Sequence, residues 1–139
     1  TRLRAVDQKK TFVSLIKRTT LFVSVVAFSG WIGFIALGQW LIAFTVGPAY
    51  TDAYRVAVVH MLALVIALCT FSFTPSMLAL GLPQKSLIAM VISTATYFGL
   101  LLPLVRTLGI VGASISYVGF YLVWSGITLI YLRHHLVNW

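Results

Sequence analysis

The chain has 139 residues, 60% of them hydrophobic and only 9% charged, whereas soluble domains carry roughly 45–50% apolar residues, glycine included, and about 25% charged ones. So few charged side chains cannot cover so much apolar surface, which excludes an ordinary water-soluble domain and points to hydrocarbon as a second solvent. Ten Lys and Arg oppose two acids, Asp7 and Asp52, for a net charge of +8 with His neutral; catalysis by a carboxylate pair has almost nothing to work with.

The first 18 residues hold Arg2, Arg4, Lys9, Lys10, Lys17 and Arg18, with Val6, Phe12, Val13, Leu15 and Ile16 among them. This reads as a basic approach segment lying in the membrane interface, with its cations near lipid phosphates. Nucleic acid is the other partner of a basic run, but the run is short, has no folded reader domain and abuts an apolar span, so no nucleic-acid role is expected. The chain opens at Thr1 without a Met, and an upstream segment removed by processing or truncation is expected.

Four stretches then lack Asp, Glu, Lys and Arg: Thr19 to Thr51, Val56 to Gln84, Ser86 to Val105 and Thr107 to Leu132. About 20 apolar residues in a helix cross the roughly 30 Å hydrocarbon layer, and each stretch qualifies. Strands are excluded by the absence of period-2 alternation, which a membrane barrel requires. The first apolar block also exceeds the 7–15 residues of a signal-peptide core. The expected fold is therefore all-α and polytopic, a four-helix transmembrane domain over residues 19–133 with a short tail at 134–139. The spans are expected at about residues 20–44, 55–76, 86–105 and 110–132.

Turn chemistry separates them. Gly47 and Pro48 end the first span, with Thr51 or Asp52 placed to cap the second. Pro75, Gly81 and Pro83 punctuate the next connection, with Met77 to Leu82 expected to skim the interface. Arg106 and Gly109 turn the chain into the last span, and Pro103 marks a candidate bend, or a re-entrant third stretch, before it. With four spans the amino-terminal segment, the middle loop and the tail share a side that carries eight Lys and Arg, against Arg55 and Arg106 opposite. The excess of Lys and Arg in cytoplasmic loops places both chain ends in the cytoplasm, in a plasma membrane. Trp40, Tyr50 and Tyr54 near the opposite edge, and Tyr131 and Trp139 at the last span's end, fit interfacial aromatics. Trp31, Tyr97, Tyr117 and Trp124 sit deeper and read as fillers between helices.

In hydrocarbon, helices associate through close packing and interhelical hydrogen bonds. Gly30, Gly33 and Gly38 offer small surfaces on the first span, and Gly109, Gly112, Ser116 and Gly119 recur at three- and four-residue steps on one side of the fourth. Gln39, His60, Thr70 and Tyr97 are the polar residues at membrane depth that could line a cavity, with Ser72, Thr74, Ser93, Thr94 and Thr96 nearby. The competing reading has the hydroxyls bonding back to their own helix carbonyls. The lone Cys69 reads as a small buried hydrophobe, and His134 and His135 have no neighbours to complete a metal site. Neither cofactor nor metal is expected, nor an enzyme. None of the expected membrane cores contains Asp, Glu, Lys or Arg, groups that ion-coupled transporters commonly keep inside the membrane.

The blocks LGQWLIAFTVGPAYTDAY, FTPSMLALGLPQKS and LLPLVRTLGIVGASISY resemble the carboxy-terminal part of polysaccharide or lipid-linked oligosaccharide flippases of the multidrug/oligosaccharidyl-lipid/polysaccharide exporter superfamily. The resemblance runs through almost the whole chain but matches only about the last four of that family's twelve or more helices. It rests on Gly47, Tyr50 and Ala53 at one turn and on Leu108, Gly109, Gly112, Ala113 and Ser116 before the last span, which are packing and turn signals. The basic cavity residues of some relatives have no counterpart here. What the resemblance implies is alternating access by two helical bundles, with a lipid-linked glycan as substrate in a bacterial inner membrane and with further transporter helices or additional copies as partners. The alternative is a small four-span accessory or structural protein of a cell-envelope glycan assembly complex.

Overall fold

A computed structural model describes residues 2–137. It is built of helices in the order α1 (Arg2–Thr45), a 3-10 turn (Pro48–Tyr50), α2 (Ala53–Cys69), α3 (Phe73–Ala79), α4 (Pro83–Leu108) and α5 (Ile110–Val137). Four segments are long and apolar enough to cross a membrane: Ser14–Thr45, Ala53–Ala79, Pro83–Leu108 and Ile110–His135. The fold is all-α with four candidate spans, as the charge-free stretches predict, and the chain is a multi-pass membrane protein.

The burial pattern follows from a hydrocarbon solvent. Among the described residues the buried apolar side chains are Ala63, Val65, Met77, Ala89 and Leu132, and the buried polar ones are Thr70, Ser72, Ser76, Ser93, Ser114, Ser116 and Thr128. Large apolar groups face outward instead, Phe22, Trp40, Phe44 and Ile110 among them. Small hydroxyl residues let helices approach, and their polar atoms must then be satisfied within the protein. Ser76 donates to the Ser72 carbonyl at 2.7 Å, Ser93 to Ala89 at 2.7 Å and Ser116 to Gly112 at 2.9 Å, one turn back in each case. Thr128 is fully buried and its hydroxyl oxygen has no partner.

The helices are arranged as a row: α1 packs on α2, α2 on α5 and α5 on α4, while short α3 touches α4 and α5. α1 and α2 are antiparallel and tied along their length. Thr20 Oγ1 and Ser72 Oγ lie 2.7 Å apart, Trp31 Nε1 donates to the Val58 carbonyl at 3.1 Å, and the Tyr54 hydroxyl donates to the Ile35 carbonyl at 2.7 Å. α4 and α5 form a second hairpin, joined at Gly109, whose φ of 62° is the left-handed backbone that only glycine adopts without strain. A Cβ at Gly112 would collide with the backbone carbonyl of Leu104, and one at Gly119 would lie 2.9 Å from Leu100 Cδ1. The sequence stripe on the last span is thus a contact between helices of the same chain, while Gly109 serves the turn.

Several expectations are corrected. Gly30 and Gly33 have open space where a Cβ would sit, so they take no part in packing within this chain; only Gly38, under the Phe34 ring at 3.0 Å, is enclosed. Met77 does not skim an interface but is fully buried in α3. The second span does not stop near Pro75. Proline removes the N–H that would bond to the carbonyl four residues earlier and crowds it, so the helix breaks at Thr70–Ser72 and resumes as α3. Neither Thr51 nor Asp52 caps α2: Asp52 already has helical φ and ψ (−66°, −25°), out of reach of the first-turn amides, and the Thr51 hydroxyl donates to the Pro48 carbonyl at 3.0 Å. α4 passes through Pro103 unbroken, so the third stretch is a span and not a re-entrant loop. Two further expectations are left as they stand: the approach segment is helical, as the first part of α1, and α5 includes His134 and His135. The side chains of Arg2, Arg4, Val6, Lys9, Lys10, Phe12 and Val13, and all of Thr1 and Trp139, lie outside what is described.

Replacing Gly112 by Leu forces the α4/α5 backbones apart and is expected to cost about 3 kcal/mol, the upper end of overpacking. Gly33→Leu, which enters open space, is expected to stay within about 0.5 kcal/mol. Thermal unfolding of both variants in detergent checks the contrast.

Candidate functional site

Four aromatic residues of α5, Tyr117, Phe120, Tyr121 and Trp124, recur at three- and four-residue steps and so share one face of the helix. α2 runs parallel to α5, since Ala53 and Ile110 line the same end of their contact while His60 meets Tyr117 further along. α4 brings Tyr97 to the same place. The result is an aromatic seam centred on Tyr117.

The His60 ring lies flat on the Tyr117 ring, with centroids 5.0 Å apart and planes 3° from parallel. Tyr97 meets Tyr117 edge-on at 6.2 Å and Tyr121 meets it edge-on at 5.1 Å, the geometries favoured by the ring quadrupole. The Tyr117 and Tyr121 hydroxyls are 3.3 Å apart, giving each a polar partner inside the layer. Trp124 extends the seam edge-on from Tyr121 at 6.5 Å.

Beside the seam, toward the 3-10 turn, lies an open groove of about 650 Å³ between the beginnings of α2 and α5. Its walls are mainly Ala53, Val56, Ala57, Ile110 and Val111, and the residues with polar groups along it are Tyr50, Asp52 and His60. Gly47, with φ 109°, reverses the chain out of α1 and places the turn residues at the mouth. A mainly apolar wall with a few polar residues is the ordinary make-up of a ligand pocket. His60 belongs to both features: one ring face is stacked on Tyr117 while the residue lines the groove.

Of the residues singled out from sequence, His60 and Tyr97 come together through Tyr117, and Tyr50 joins His60 at the groove. Gln39 is exposed on α1 and is not among the residues lining the groove. Thr70 is buried at the α2/α3 break, where its hydroxyl donates to the Ile66 carbonyl at 2.8 Å, with Ala67 at 3.3 Å. Thr96 likewise bonds back to Ile92 at 3.0 Å. Gly112 and Ser116 support the seam from the α4 side by holding the two helices close. Sequence reasoning missed Tyr121 and the grouping around Tyr117, although the aromatic spacing on the last span carried the signal; it also missed Asp52 as a groove residue. Among the described residues no three of His, Cys, Asp and Glu come near enough to hold a metal ion.

The stacked pair has a measurable consequence. A double-mutant cycle between His60→Ala and Tyr117→Leu is expected to return a coupling of about 0.5–1.5 kcal/mol in unfolding free energy, whereas Gln39→Ala and Tyr117→Leu are expected to be additive.

Compared with known proteins, the chain matches no family model, no curated protein and no solved structure.

Proposed function

We propose that this chain forms one wall of a membrane transporter that moves a lipid-linked oligosaccharide across the plasma membrane. The observation that carries the reading is the groove: apolar walls with Asp52 and Tyr50 toward the 3-10 turn and His60 two turns further along α2, opening where two spans begin. An amphipathic substrate needs both surfaces. Its lipid tail is at home against Ala, Val and Ile, while its sugars need hydrogen-bonding groups and aromatic faces, because a bare polar headgroup in hydrocarbon costs several kcal/mol per unmet group. The blocks that resemble the flippase family include this groove, since Gly47, Tyr50 and Ala53 shape one of its sides.

The row of helices supports the same reading. A row leaves α1 and α4 as edges, so a route for a glycan would be closed by further helices or by additional copies. Eight Lys and Arg on the side of the chain ends, against Arg55 and Arg106 at the groove side, orient the groove outward and the ends toward the cytoplasm of a bacterial cell. The groove then serves the release of a headgroup to the outer leaflet. No covalent chemistry is involved.

The test is a leaflet-accessibility assay with the intact protein reconstituted in vesicles that contain fluorescent lipid-linked oligosaccharide. Protein-dependent translocation is expected, and His60→Ala is expected to lower flux per folded molecule about tenfold, equivalent to about 1.4 kcal/mol in the rate-limiting barrier, while the lost stacking on Tyr117 lowers stability by about 0.5–1.5 kcal/mol. Gln39→Ala reports separately on whether α1 borders the route. A folded protein that accelerates no lipid-linked glycan contradicts the transport reading and favours the accessory role.

A further inference from the structure

α2 and α5 run parallel, and the stacking of His60 on Tyr117 fixes their register. Eleven residues make three helical turns and about 16.5 Å of rise, so Phe71 and Thr128, each eleven residues beyond that pair, come to one level. Thr128 also returns to the face that Tyr117 presents to α2. The level is the break between α2 and α3, inside the membrane-crossing segment Ala53–Ala79, and α3 beyond it packs on α5. Thr128 is fully buried, and its hydroxyl oxygen has no partner; it does not bond back to its own helix as Ser116 does to Gly112.

The break supplies further oxygen atoms. In an unbroken helix the Phe71 carbonyl would take the N–H of residue 75, but that residue is Pro75 and has none. The Cys69 carbonyl would take the N–H of Phe73, which goes to the Thr70 carbonyl instead, at 2.9 Å. The Phe71 side chain is exposed, whereas Thr70 and Ser72 are buried, and Ser72 Oγ lies 2.7 Å from Thr20 Oγ1 of α1.

We infer that the α2/α3 break binds a sodium ion between its backbone carbonyls and the Thr128 hydroxyl. The groups on offer are neutral oxygens, which are ligands for a hard cation. A divalent ion is held by carboxylates, and the chain has no Asp or Glu after Asp52, which stands at the far end of α2. A single positive charge can be met by carbonyl dipoles and hydroxyl lone pairs alone, and the unwound carbonyls of broken membrane helices coordinate sodium in this way. The ion gives the Thr128 oxygen the partner that the protein does not supply, sparing the cost of an unmet polar group in the membrane interior. A buried water would also satisfy Thr128, but it would leave no dependence on the salt cation. The inference needs the membrane fold only and not the transport reading; a protein that binds sodium here and moves no glycan separates the two.

Scintillation-proximity binding of radiolabelled sodium to the detergent-purified full chain tests it, with potassium and choline as competitors at constant ionic strength. Saturable binding that choline does not displace is expected, together with an unfolding temperature that rises with sodium and not with choline. Thr128→Val keeps the shape of the side chain and removes its oxygen. It should weaken sodium binding about tenfold or more, as the loss of even an outer partner of a metal site does. Its unfolding temperature without sodium should not fall, because no hydrogen bond is lost. Thr128→Ser should keep binding, and Pro75→Ala, which returns an N–H to the Phe71 carbonyl, should weaken it. Displacement by potassium as readily as by unlabelled sodium supports the site and widens it to both ions. No saturable sodium binding by the folded wild type, or binding unchanged in both Thr128→Val and Pro75→Ala, overturns it.

Discussion

The absence of a side chain at Gly112 lets the backbone of α5 lie against the carbonyl of Leu104 in α4, and much of the structure depends on that approach. Water release cannot press helices together inside hydrocarbon, so stability has to come from contact at short range and from polar groups satisfied within the protein. Gly112 permits the contact, and the buried Ser116 returns its hydroxyl to the carbonyl of Gly112. Once the hairpin is closed, Tyr97 and Tyr117 are brought edge to face, and Lys85 is brought over Tyr131. The edge-to-face meeting of Tyr97 and Tyr117 in the aromatic seam is therefore tied to the close approach of these two helices.

The α1/α2 hairpin is held differently. Its ties are hydrogen bonds from long or hydroxyl side chains, Trp31 to Val58, Tyr54 to Ile35, and Thr20 with Ser72. Ser72 stands at the break that Pro75 imposes between α2 and α3, so a residue at an interrupted helix is the one that reaches the neighbour. Two hairpins built on different forces meet along α2 and α5, and His60 on Tyr117 marks that seam. The groove lies where the two hairpins begin to diverge.

How much of this was legible in the sequence depends on the range of the interaction. The four spans could be read because the thickness of hydrocarbon fixes helix length and the charges fall only between the spans or within a turn or so of their ends. The hydroxyls of Thr70, Ser93 and Thr96 behave as local chemistry dictates, bonding within their own turn. Gly112 and Gly33 could not be told apart, because both are small residues in apolar runs and only the partner helix decides which is used. Lys85 over Tyr131 and His60 on Tyr117 join residues far apart in the chain, and no periodicity on either helix announces the other. The break at Thr70–Ser72 was within reach: Pro75 marked it, but a proline acts on the turn before it, so the disruption precedes the residue that causes it.

The central claim is that four helices cross the membrane, so that the beginning of the chain and its end emerge on one face. Cysteines placed singly at Lys17, Lys85 and Arg133, and at Thr51 and Arg106, in a Cys69→Ser background, can be labelled in sealed vesicles with a membrane-impermeant reagent. The account predicts that the first three label from one face and the last two only from the other. Labelling of positions 17 and 133 from opposite faces would contradict it.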